Sequence, residues 1–404
     1  MCHATRLGVS SPMKLLIAIP ALNEEASIQQ IIERCLQARK HIIETSPVTQ
    51  VEITVVSDGS TDRTVQLAGR FSDRITLIVF PRNRGYGAAI KEAWAQSDAD
   101  LLGFLDADGT CEPEFFSQLI NALKEHEADV ALGCRLNADS KMPWGRRIGN
   151  IIFASMLTLL SSTKVRDTAS GMRVVRRICL PELLPLPDGL HFTPAMSARA
   201  MLSATLRIVE IDMPYHEREG ESKLRPGRDG LRFMKAILDA ALLYRPARPL
   251  AILGLIWLVV AGVLMLPPTD HYVRHRVVEE WMIYRFVVSH LAGVLAGLLL
   301  CASYLTGRMV ALALNRRSRH LLDWFFGSRL VWAVPLTLLI GGGLLVLPSF
   351  LELVRTGATY EHWSRFMAMS FCWVLASIIA VTGIIDYVLG LVGIQLAHNT
   401  RRAE

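Results

Sequence analysis

The sequence predicts an α/β domain with a mostly parallel sheet, followed by an all-α transmembrane domain of four helices. Three observations carry this expectation. From Lys14 to about Val175, short apolar runs alternate with amphipathic stretches. Past Arg245 come four runs of 17 to 21 residues free of Asp, Glu, Lys and Arg. The 404-residue chain is 51% hydrophobic and 20% charged, and its mean hydropathy of +0.32 is high for a soluble enzyme. The same numbers exclude disordered, collagen-like and disulfide-scaffold classes. The expected division is residues 1–245 as a cytoplasmic catalytic domain and residues 246–404 as a membrane domain.

The elements follow in order. The polar stretch before Lys14 lacks the apolar run of a signal peptide, so the first domain is expected in the cytoplasm. Residues 15–19, 53–56, 75–80 and 101–105 read as buried strands. Helix-like segments lie between them, at about 25–44, 62–71, 87–96 and 113–126. Such alternation argues a parallel sheet, whose ligands bind at the carboxyl ends of the strands. The apolar segment 148–160 follows Arg146 and Arg147 and reads either as an interfacial helix or as a core helix of the domain. Residues 231–244, with Arg232 and Lys235 among Phe233, Ile237, Leu238 and Leu242, read as an amphipathic juxtamembrane helix. The spans are expected at about 250–266, 286–305, 330–350 and 366–385, since a bilayer core needs about 20 apolar residues in a helix.

Charge separates the two parts. Residues 1–245 carry a net +1 and residues 246–404 a net +5, with no Lys among the latter. Because this excess sits among apolar stretches, it points to membrane topology and not to nucleic acid. Arg308, Arg316, Arg317, Arg319 and Arg329 share the loop between the second and third runs, and Arg401 and Arg402 lie at the C-terminus. This bias predicts both termini and the catalytic domain on the cytoplasmic side of a multi-pass protein. His290 and Asp386, in or beside the runs, read as helix-end residues. Seven cysteines without a C-x-x-C pair give neither a zinc framework nor a disulfide ladder.

Three polar motifs stand at successive strand ends. After the first strand comes Pro20-Ala21-Leu22-Asn23-Glu24-Glu25, in which Asn23 is placed to cap the next helix. After the second comes Ser57-Asp58-Gly59-Ser60-Thr61-Asp62. There Asp58 can accept hydrogen bonds from a base or ribose, and Thr61 or Asp62 can cap the next helix. After the fourth comes Asp106-Ala107-Asp108-Gly109. Two carboxylates at i and i+2 on such a turn can reach one hard cation, commonly Mg²⁺, and a diphosphate together. The spacing does not fit an EF-hand loop.

With these motifs in this order, residues 14–240 resemble a family 2 glycosyltransferase of the GT-A fold, a Rossmann-like architecture. Asn83-Arg84-Gly85-Tyr86-Gly87-Ala88-Ala89 resembles the family's Asn-x-Gly-x-Gly-x-Ala element. Asp167-Thr168-Ala169-Ser170-Gly171-Met172-Arg173 and the segment from Tyr215 through Arg218, Gly220, Ser222 and Lys223 to Leu224 resemble elements of one branch. That branch comprises the dolichyl-phosphate mannose synthases and bactoprenol glucosyltransferases. Ser57 stands where many members have Asp, and Arg63 where many have Gly. Gln-x-x-Arg-Trp, the signature of processive polysaccharide synthases, is absent from the sequence.

The resemblance implies a membrane-bound inverting transferase. A sugar would pass from a nucleoside diphosphate to a dolichyl or undecaprenyl phosphate. The alternative acceptor is a hydroxyl on a lipid, glycan or protein. It further implies that Pro20, Asn23, Glu24, Asp58 and Asp106 bind the nucleotide sugar, and that Asp106 and Asp108 are the catalytic and metal-binding pair, for Mg²⁺ or Mn²⁺. The acceptor phosphate would meet Arg135, Arg146 or Arg147, Asn150, Arg173, Arg218 and Lys223. The implied partners are the nucleotide sugar, the lipid and the membrane, with room for a homo-oligomer and no nucleic acid.

Overall fold

The computed structural model describes residues 12–137, 140–161, 163–203, 205–216, 226–313, 320–358 and 362–403. The chain forms two units that meet between Tyr244 and Arg245.

The first unit opens with β1 (Met13–Ala21), α1 (Ile28–Thr45), β2 (Val48–Asp58), α2 (Thr64–Gly69), β3 (Thr76–Phe80) and α3 (Tyr86–Gln96). It continues with β4 (Leu101–Leu105), α4 (Phe116–Glu125), β5 (Val130–Cys134), α5 (Trp144–Leu160) and β6 (Met172–Arg176). It closes with α6 (Leu180–Leu183), α7 (Phe192–Leu202), β7 (Ile208–Asp212) and α8 (Pro226–Tyr244). Seven strands make one sheet in the order β3-β2-β1-β4-β6-β5-β7. β1 pairs parallel with β2 and β4, β2 with β3, and β5 with β7. Only β6 runs antiparallel, against both β4 and β5.

β1 reads as an unbroken apolar run because both faces of the sheet are covered. Leu15, Ile17 and Ile19 point into a core shared with α1 and α4, where Ile28, Ile31, Phe116 and Leu119 are buried. Leu16 and Ala18 alternate into the opposite core with Trp94 of α3 and Phe192 of α7. The four expected strands correspond to β1 to β4, the third beginning one residue later, at Thr76. β5, β6 and β7, five residues each, are strands that the sequence reading did not contain.

α5 is neither purely interfacial nor purely core. Asn150, Ala154, Leu157 and Leu160 face inward, whereas Trp144, Ile148, Ile151, Ile152 and Leu159 are exposed. The inward set recurs at about one helical turn, and the outward set occupies the other side. α8 follows the same plan, with Phe233 and Ile237 buried and Leu231, Leu238, Leu242 and Leu243 exposed.

The second unit is all helical: α9 (Ala247–His275), α10 (Ile283–Ala313), α11 (Asp323–Phe326), α12 (Leu330–Thr356) and α13 (Trp363–Ala403). Among the described residues, four helices are long and apolar enough to cross a membrane, and they contain the four expected runs. The chain is an integral membrane protein. Arg316, Arg317 and Arg319 lie outside the described residues.

α10 packs against α9 and α13, and α12 packs against α13. In lipid there is no hydrophobic driving force between helices, so small residues and hydroxyl groups make the seams. Ser289 Oγ donates to Ala261 O at 2.9 Å and Ser303 Oγ to Ala247 O at 2.7 Å. Asp386 accepts from Arg308 Nε across α10 and α13 at 2.8 Å, so the carboxylate is paired and not a lone helix-end charge. A Cβ on Gly293 would lie 2.8 Å from the Phe371 ring. Gly293→Leu is therefore expected to overpack the α10–α13 seam by about 1–3 kcal/mol, read as a lower unfolding temperature in detergent than that of the wild type.

Candidate active site

A cavity of about 770 Å³ lies across the carboxyl ends of the strands of the first unit, where open α/β sheets place their ligands. Because neighbouring strands end side by side, the strand order arranges its walls. β2 and the turn after β3 form one end, β4 the centre, and β5 with α5 and α8 the other end.

At the first end, Pro20, Glu24, Asp58 and Asn83 line the cavity. Asp58 is buried, and its carboxylate accepts from Arg84 N at 2.6 Å and Gly85 N at 2.9 Å, which pins the turn leading into α3. Gly59 has a φ of +72°, and a Cβ there would sit 2.4 Å from Asn83 N, so this close approach requires glycine. Asn23 does not line the cavity. Its side chain accepts from Thr61 N at 2.8 Å and its own N–H donates to Ser60 Oγ at 3.1 Å, so it stitches the two turns together. It does not cap α1, which begins after Ser27. Asp62, not Thr61, accepts from Thr64 N at 2.9 Å at the start of α2.

At the centre stand Asp106 and Asp108. Tyr86 Oη donates to Asp106 Oδ1 at 2.6 Å. Burial, joined by the Asp106 charge, raises the Tyr86 phenol well above its ordinary value, so it remains a donor. Asp108 Oδ1 accepts from Thr110 Oγ1 at 2.6 Å and Thr110 N at 3.2 Å. These two carboxylates offer hard oxygen donors on one wall of one cavity, a set that fits Mg²⁺ or Mn²⁺ better than a soft metal. Among the described residues no cluster of three or more His, Cys, Asp or Glu could hold a metal by itself.

The far end is cationic. Arg135, Arg146, Asn150, Tyr215 and Arg232 line it, with Phe153 and Phe233 as an apolar wall. Those two rings meet edge to face at 5.9 Å. The buried Asp167 carboxylate organises this end. It accepts from Arg135 N at 3.0 Å, Nε at 2.7 Å and Nη2 at 2.9 Å, and from Asn150 Nδ2 at 2.5 Å. Burial opposes both charges, yet each partner holds the other ionised: Arg135 stays above its ordinary pKa and Asp167 below the usual carboxylate range. The Arg135 guanidinium also lies 5.4 Å over the Tyr215 ring.

Several sequence expectations change here. Arg146 lines the cavity and Arg147 does not, although the two are adjacent. Arg173 is fully buried and lines no part of it. Its guanidinium donates to Thr168 O and Ser197 Oγ at 2.8 Å each and to Ser170 O at 3.1 Å, tying the 167–173 loop to α7. Burial pulls its pKa down to about 10. Arg218 and Lys223 lie outside the described residues. Tyr86, Asp167 and Tyr215 belong to motifs singled out in the sequence but had no role there. Arg232 gave no sequence signal beyond its place on an amphipathic helix.

The first unit coincides with the likeness to known proteins. Residues 16–184 match the model of glycosyl transferase family 2. A low-salt glycan biosynthesis hexosyltransferase of Haloferax volcanii is 32% identical over 254 residues, which are 61% of this chain and 59% of that protein. A dolichyl-phosphate hexose transferase of the same organism is 30% identical over 235 residues, 56% of this chain and 94% of that protein. An undecaprenyl-phosphate 4-deoxy-4-formamido-L-arabinose transferase of Proteus mirabilis is 28% identical over 259 residues, 62% of this chain and 74% of that protein.

The buried guanidinium gives a test of the role expected for Arg173. Arg173→Met leaves two carbonyls and a hydroxyl without their charged donor, at roughly 3 kcal/mol or more. The expected result is a marked drop in unfolding temperature. An unchanged temperature with a raised acceptor Michaelis constant would restore Arg173 to the substrate site.

Proposed function

The chain belongs to glycosyltransferase family 2, and from that premise we propose that it transfers one sugar from a nucleoside diphosphate to a polyprenyl phosphate. One observation carries this reading. A single cavity joins the Asp106 and Asp108 carboxylates to a cationic end whose apolar wall comes from α5 and α8. Those same two helices expose apolar side chains on their outer faces. Such an end suits a phosphate carried on a hydrocarbon tail at headgroup level. Relatives named for dolichyl-phosphate and undecaprenyl-phosphate transfer support the same acceptor class.

In this reading the nucleoside lies against Pro20, Glu24, Asp58 and Asn83. The diphosphate lies at Asp106 and Asp108, which would hold the divalent cation. When bound there, that cation supplies positive charge to the leaving diphosphate. Arg146, with Asn150 and the Asp167-held Arg135, orients the acceptor phosphate through charge-assisted hydrogen bonds. An acceptor phosphate oxygen then bonds to the anomeric carbon as the bond from that carbon to the diphosphate oxygen breaks, and the electron pair leaves with the nucleoside diphosphate. In-line approach from the cationic end inverts the anomeric centre.

A phosphate monoester is largely dianionic at neutral pH, its second pKa being about 6, and needs no base to activate it. Among the described cavity residues, the carboxylates Glu24, Asp58, Asp106 and Asp108 follow β1, β2 and β4, whereas Arg135, Arg146 and Arg232 come from the segment after β5 and from α5 and α8. A hydroxyl acceptor would need a base there. We further propose, from the arginine distribution, that the catalytic unit and both termini are cytoplasmic.

The acceptor assignment is tested with membranes, short-chain polyprenyl phosphate and a panel of labelled UDP- and GDP-sugars. Loss of one charge-assisted contact costs about 1.5–3 kcal/mol, so Arg146→Ala should raise the acceptor Michaelis constant roughly 10- to 150-fold and leave that of the donor nearly unchanged. The product should be a lipid-extractable phosphodiester cleaved by mild acid. Polyprenol used as readily as its phosphate would refute the mechanism.

Topology has its own check. A cysteine placed at Arg276, between α9 and α10, should react with an impermeant thiol reagent added outside intact cells. Reaction only after permeabilisation would invert the map.

A further inference from the structure

We propose that Tyr86 and Gly171 cage the Asp106 carboxylate in the orientation in which it holds a divalent cation, so that Tyr86 is a positioning residue for the metal. The inference rests on the reading that Asp106 and Asp108 bind that cation.

Two features of the fold hold the carboxylate, a hydrogen bond and a close approach of backbone. The Tyr86 hydroxyl donates to Oδ1 at 2.6 Å, within the range of a strong O–H···O⁻ bond. Gly171 leaves room for the carboxylate, since a Cβ built there would lie 1.9 Å from Oδ2, 2.5 Å from Cγ and 2.9 Å from Oδ1. Gly171 is not among the residues of positive φ, so the position requires glycine for room and not for backbone conformation. Any side chain at 171 would drive Asp106 out of its place.

The cage is itself held firmly. Tyr86 is the first residue of α3, and its ring meets Phe104 and Phe192 edge to face at 6.4 Å each. The following N–H groups of Gly87 and Ala88 donate to Asp188 O at 2.6 and 3.1 Å. A phenol anchored in this way can stop the carboxylate from rotating about its last torsion. Partners that orient a metal ligand typically govern about 10- to 100-fold in metal affinity.

The experiment measures Mn²⁺ binding to the detergent-solubilised full chain by electron paramagnetic resonance, with UDP or GDP present. Tyr86→Phe preserves the ring contacts and should keep the wild-type unfolding temperature while weakening Mn²⁺ binding about 10- to 100-fold. Its transfer activity should recover at high Mn²⁺, and its metal-free nucleotide affinity should not change. Gly171→Ala should weaken Mn²⁺ binding at least as much; if that variant fails to fold, Tyr86→Phe alone decides. A Tyr86→Phe chain with wild-type Mn²⁺ affinity overturns the cage even if its activity falls. A wild-type chain that binds no Mn²⁺ beside either nucleotide overturns the metal assignment itself.

Discussion

The cationic end of the cavity depends on one buried carboxylate. Asp167 draws the end of β5 and the inner face of α5 to a single point, through Arg135 and Asn150. It also accepts from Ala169 N, which closes its own loop. A buried pair of this kind contributes little as a stabiliser in itself, because desolvation offsets the attraction. Its value is geometric. Arg135 can turn only as far as the fork bonded to Asp167 and the Tyr215 face beneath it allow. The site is therefore set before any substrate arrives, and ordering it costs little at the moment of binding.

The first four strands and the four spans were legible because each is an apolar run, and the junctions because a polar motif follows each such strand. Individual polar residues were harder to read. Asn23 and Arg173 stand in recognisable motifs, and their types suit a ligand. In the fold, however, Asn23 serves Thr61 and Ser60, and Arg173 serves a loop of carbonyls. A motif marks where a residue must be, but a hydrogen-bonding side chain can face the substrate or the backbone from the same position. The pair Arg146 and Arg147 illustrates the limit. Adjacent helix positions point about 100° apart, and only the rotation of α5, set by burial of Asn150, Ala154 and Leu157, decides which one enters the cavity.

The membrane unit follows a different logic. Its helices carry polar side chains sparingly and use most of them internally, with serine hydroxyls on facing carbonyls and Arg308 on Asp386. The sequence placed Asp386 near a helix end but could not supply its partner, because Arg308 lies on another helix, 78 residues away. Paired in this way, neither charge has to be buried alone, which is the arrangement an apolar surrounding tolerates.

Asp58, the turn it holds and Tyr86 are consecutive parts of one hydrogen-bonded path. The Asp58 carboxylate fixes Arg84 and Gly85, the next residue is Tyr86, and Tyr86 reaches Asp106. The wall at Asp58 and the wall at Asp106 are thus cut from the same piece of backbone. Under the proposed function, donor choice and catalytic competence are then not separable modules. A lineage that altered Asp58 would have displaced Asp106 in the same step. Diversification of this scaffold would then proceed more readily at the opposite end, where α5 and α8 can change without disturbing that path.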